Sequence, residues 1–71
     1  GLMQIGDSGD AVKGLQSALM AAEFPLPLHG ADGDFGAETE QALRQFQQKS
    51  GLDASGAADA ETLAALRILN G

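Results

Sequence analysis

The chain carries one phrase twice, 23 residues apart: residues 37–44 read AETEQALR and residues 60–67 read AETLAALR. At that offset Gly33, Glu38, Thr39, Leu43 and Arg44 fall on Gly56, Glu61, Thr62, Leu66 and Arg67, with alanines matching between them. The Gly, Glu-Thr and Leu-Arg identities do not depend on the abundance of alanine. An internal repeat constrains the fold before any single residue does, because the chain must be built from two copies of one supersecondary unit. Here the unit is a glycine-containing turn that leads into a helix, over residues 32–44 and 55–67.

At 71 residues the chain is one domain, near the lower limit for a core that folds without staples, and it has no Cys to form a disulfide or a thiolate metal site. The start at Gly1 reads as a domain excised from a longer chain, with any targeting signal outside it. Alanine is its commonest hydrophobic residue and its Phe, Tyr and Trp content is three Phe, which suits thin, closely packed helices better than a sheet. The apolar stripes place helices near residues 9–22, 37–49 and 60–69. Asp7 or Ser8 is expected to cap the first, and the Phe24-Pro25-Leu26-Pro27-Leu28 run ends it. Gly51 closes the second in a left-handed cap with Leu52 folding back, and Asp59 caps the third. Val12, Leu15, Leu19, Leu43, Phe46, Leu52, Leu63, Leu66 and Leu69 are the expected core of an all-α three-helix bundle.

Repeat logic offers a filter for function. Residues present in both copies serve the fold, and residues present in one copy are candidates for a task. The first turn alone carries Asp32, Asp34 and Phe35, where the second has Ser55, Ala57 and Ala58.

The ordered set Gly6, Gly9, Val12, Leu15 and Gln16, then Asp32, Gly33, Phe35, Gly36 and Thr39, then Ala42, Leu43, Phe46, Gln47, Gly51 and Leu52 spans nearly the whole chain. In this it resembles the bacterial peptidoglycan-binding domain of the three-helix type, found on cell-wall hydrolases and phage lysins. Two features depart from that pattern. The connection from Ala22 to Gly30, with two prolines, is longer than usual, and Asp59 stands where a glycine is usual. The resemblance implies a noncatalytic, monomeric module without cofactor that anchors an attached hydrolase to peptidoglycan, in the cell wall, the periplasm or outside the cell. A related fold occurs in prosegments that inhibit matrix metalloproteases through a cysteine. Without Cys this chain cannot act that way, but a domain covering an attached enzyme is the alternative reading.

The ligand site is expected beside the first turn and the start of the second helix, at Asp32, Gly33, Asp34, the exposed edge of Phe35, Gly36, Thr39, Arg44 and Gln47. Failing that, it lies along the proline segment 24–29. No catalytic constellation stands out: His29 is the only imidazole, and a triad with Ser8 has no support from spacing. Asp32 and Asp34 fall short of a calcium loop, since residue 37 is Ala and no third acid follows in step. A net charge of −6 argues against nucleic acid or an anionic membrane as partner. Peptidoglycan is itself anionic, so binding must rest on short-range hydrogen bonds and apolar contact.

Overall fold

The computed structural model describes residues 2–70, with side chains through residue 67. Three helices follow one another: α1 (Asp10–Ala21), α2 (Ala37–Lys49) and α3 (Ala60–Asn70). No strand is present among the described residues, and α1 packs against both other helices.

The helix ends obey local chemistry. α2 and α1 both stop in a Schellman arrangement, in which the amide two residues past the cap bonds back across the last turn. In α2 the N–H of Leu52 donates to Gln47 O at 2.8 Å and that of Gly51 to Gln48 O at 3.2 Å. In α1 the N–H of Phe24 donates to Leu19 O at 2.9 Å and that of Glu23 to Met20 O at 3.1 Å. The residue between must be left-handed: Gly51 has φ +76°, and Glu23 is forced to φ +69° without the freedom of a glycine. Asp59 caps α3, its Oδ1 accepting the Thr62 N–H at 2.8 Å. The start of α1 differs from expectation, because neither Asp7 nor Ser8 caps it; Gly9 does, with no side-chain bond. The reason lies in the extended chain before it. The Phe35 N–H donates to Asp7 O, the Gly6 N–H to Phe35 O and the Gly9 N–H to Gly33 O, so residues 6–9 line the first turn rather than curl over the helix. Asp7 instead accepts the N–H of Gln4.

Val12, Leu15, Leu19, Leu43, Phe46 and Leu66 are buried as expected, with Leu52 and Leu63 partly buried against them. Leu69 lies outside the described side chains. Leu26, Phe35, Ala42 and Ala58 complete the core. Phe24 meets Phe46 edge to face, with ring centroids 5.6 Å apart. Leu26 is buried between two exposed prolines, so the connection from α1 to α2 is an anchored strap whose middle residue is its foot.

Candidate functional site

Each turn is held by a glutamine from the preceding helix. Gln16 of α1 is fully buried; its Oε1 accepts the Gly33 N–H at 2.8 Å, and its Nε2 donates to Asp34 O and Thr39 Oγ1, both at 2.9 Å. Gln47 of α2 repeats the arrangement. Its Oε1 accepts the Gly56 N–H at 3.0 Å, and its Nε2 donates to Ala57 O at 3.0 Å and Thr62 Oγ1 at 3.1 Å. One planar amide thus satisfies a buried N–H, a carbonyl and a hydroxyl at once, which is why a short polar turn can sit on an apolar core. Gly33 and Gly56 turn the chain at φ +84° and +82°, a conformation that opposes any side chain.

This geometry redistributes the residues expected at the site. Thr39 and Gln47 are buried, and their polar atoms are engaged with the clasps. The Gly33 amide is taken by Gln16. Phe35 has no exposed edge: it is 3% exposed, because its backbone pairs with the chain at Gly6 and Asp7 and its ring enters the core. Its counterpart Ala58 is also buried, and its backbone exchanges both its hydrogen bonds with Met3. Asp32 accepts the Asp34 N–H at 3.0 Å and a Gln16 amide hydrogen at 3.2 Å. Ser55 accepts the Ala57 N–H at 3.2 Å, so the two side chains perform one turn-forming task. Arg44 lies half exposed over the second turn, 3.8 Å from Glu40, and its guanidinium occupies the space a side chain at Gly56 would need. Of the residues expected at the site, Asp32, Asp34 and Arg44 are exposed and Gly36 is partly so, with Arg44 set apart over the second turn.

The two copies differ in length. The Gln16–Gly33 bond spans 17 residues and the Gln47–Gly56 bond spans 9, so eight extra residues lie in the first. Those residues make the strap, and the strap makes a groove. Pro25, Pro27, Leu28 and His29 face Gly36, Ala37, Gln41, Ala42 and Gln45 across about 580 Å³. Glu38 fixes the strap to α2, its Oε2 accepting the Leu28 N–H at 2.7 Å and its Oε1 the His29 N–H at 2.9 Å. Leu28 itself is 80% exposed at the rim. A smaller hollow of about 340 Å³ adjoins through His29, Gly36 and Glu38, and its other walls are Asp32, Asp34 and Thr39.

Local electrostatics follow from these bonds. The Asp34 N–H, helped by the Gln16 amide and by nearby His29, holds the Asp32 carboxyl below the usual carboxylate range. The Thr62 N–H and hydroxyl do the same for Asp59. Sequence reasoning missed Gln16 as a clasp and Glu38 as a tie. The recurrence of Val12-x-x-Leu15-Gln16 as Leu43-x-x-Phe46-Gln47 carries the first; nothing local carries the second, since its partners are nine and ten residues away.

Comparison with known proteins agrees with this architecture. A family model for a peptidoglycan binding domain matches residues 8–66. The N-acetylmuramoyl-L-alanine amidase CwlL of Bacillus licheniformis is 46% identical over 55 residues, covering 78% of this chain and 15% of the amidase. The crystal structure of the SleB N-terminal domain superposes with a TM-score of 0.88 at 38% identity, covering all of this chain and 94% of the other. A peptidoglycan-binding protein from Clostridioides difficile, solved with glutamine hydroxamate, gives 0.89 at 32% identity, covering 99% of this chain and 43% of that one. The chain belongs to the peptidoglycan-binding domain family.

Proposed function

We propose that this domain is a noncatalytic module that holds an attached cell-wall hydrolase against peptidoglycan, in the wall, the periplasm or the extracellular space. The observation that carries the reading is the family match over residues 8–66, and the similar amidase is a protein of which such a domain forms only a small part. The ligand surface is the strap groove and the adjoining hollow, with Asp34, Gly36 and the outer edge of Asp32 from the first turn and Glu38, Gln41 and Gln45 from α2. These side chains offer hydrogen bonds and apolar area but no basic cluster, so affinity for one site is modest. Tethering makes modest affinity useful, because it raises the effective concentration of the enzyme on an insoluble polymer. Cosedimentation with purified sacculi tests the proposal: the domain should leave the supernatant. A domain that stays in solution with sacculi, yet binds and inhibits the catalytic domain attached to it, would act as a covering segment instead.

A further inference from the structure

We infer that the strap groove takes the peptide stem of peptidoglycan, at a residue bearing a free side-chain amine, and not the glycan strand. The inference rests on the peptidoglycan reading above and names the part of the polymer that the groove fits.

Three observations support it. The first is that, among the described residues, no Phe, Tyr or Trp lines the groove; its one ring is the His29 imidazole, smaller than the platforms that hold sugars. A sugar ring is usually held by laying its C–H face on an aromatic ring, but Phe35 is buried and Phe24 is engaged with Phe46, and neither lines the groove. The second is the pattern of the walls. Pro25, Pro27 and Leu28 present small apolar surface suited to alanine methyl groups. Gln41 and Gln45, both exposed, stand one helical turn apart on the opposite wall. Each side-chain amide both donates and accepts, so the pair matches successive peptide groups of an extended backbone. The third is charge. Among the described residues no Lys or Arg lines the groove, its one acid is Glu38, and its other ionisable side chain is His29. The carboxylate gives one oxygen to each of the Leu28 and His29 amides, and each oxygen keeps a further lone pair. On a chain of net charge −6, that carboxylate can receive an ammonium but would repel a carboxylate. The diamino acid of an uncross-linked stem supplies such an ammonium; cross-linking turns it into an amide.

The test is an NMR titration of the isotope-labelled domain with three soluble probes. These are the tetrapeptide N-acetyl-L-alanyl-γ-D-isoglutaminyl-L-lysyl-D-alanine, the same peptide also acetylated on the lysine side-chain amine, and a tetramer of N-acetylglucosamine. The free peptide should shift the amides of Leu28, His29, Glu38, Gln41 and Gln45. Acetylation should weaken it about fivefold, the scale of one exposed ion pair. The sugar tetramer should leave those amides unmoved. A variant with Gln41→Ala and Gln45→Ala, both exposed positions, should keep its melting temperature and lose the peptide response. Shifts at these amides from the sugar, equal binding of both peptides, or peptide shifts confined to another face would each overturn the inference. Sacculus cosedimentation of the same sample separates the two levels. Retention on sacculi without a peptide response defeats this inference alone, whereas loss of retention defeats the peptidoglycan reading beneath it.

Discussion

The two turn units share one clasp and differ in what surrounds it. Gln16 holds Gly33, Asp34 and Thr39 at 2.8–2.9 Å, and Gln47 holds Gly56, Ala57 and Thr62 at 3.0–3.1 Å. The segments they close span 17 and 9 residues. Closing a longer loop costs little extra entropy, since the penalty grows only with the logarithm of length. A fold fastened at the clasp is therefore tolerant of what is inserted outside it. The first unit uses that tolerance to build a strap and a groove, and the second keeps the minimal connection. The same helix, α2, carries the receiving threonine of one clasp and the glutamine of the other.

Equivalence of the two units is most severely tested in the core. Leu43→Ala and Leu66→Ala remove side chains that are 0% and 2% exposed at matching repeat positions, and each should cost about 2–5 kcal/mol in a urea melt. Losses of that size threaten folding in a domain this small. A large loss at one position and none at the other would break the comparison. The clasps come next. Gln16→Leu and Gln47→Leu each leave a buried turn amide and threonine hydroxyl unpartnered, for a cost of about 2–4 kcal/mol in the same assay. Matching values would confirm that the longer first connection does not weaken its clasp; a much smaller loss for Gln16→Leu would show that the strap holds the turn independently.

Smaller effects sharpen the picture at the helix ends. Glu23 occupies the left-handed position that Gly51 fills in α2. Glu23→Gly should therefore raise stability, by up to about 1 kcal/mol, measured as a higher melting midpoint. Acid titration gives the smallest change. The carboxyls of Asp32 and Asp59 are held below their ordinary value of 3.8 by the amides they accept, so their contribution is complete above that value. It is lost as pH falls through the lower, folded value. The melting temperature should fall in that window, and Asp32→Asn and Asp59→Asn should each flatten the decline.

The helices, the Gly51 and Asp59 ends and most of the core were legible because each depends on residues within a turn or two of one another. The groove proposed as the site was less so, and the reason is the filter applied to the repeat. Asp32 and Ser55 differ as letters but present an acceptor to the same amide, so a difference in sequence was not a difference in task. Phe35 and Ala58 differ in size but not in burial. The same filter passed over Glu38, because Glu61 repeats it. Glu38 and Glu61 are the same residue at the same position, and only Glu38 has a strap within reach. The glutamine clasps were hidden by register: Gln16 and Gln47 stand 31 residues apart, and the eight extra residues remove them from the 23-residue alignment. Leu26 was hidden by its prolines, which signal a loop but not that the loop is nailed to the core.

The central claim is that two copies of one clasp make the fold and that the strap on the first copy makes the site. The most direct measurement is sacculus retention of Glu38→Ala beside its repeat-matched control, Glu61→Ala. The account predicts that Glu38→Ala loses most retention while its melting temperature stays within a few degrees of the parent, and that Glu61→Ala binds as the parent does. Parent-like binding by Glu38→Ala, or an equal loss in Glu61→Ala, would contradict it.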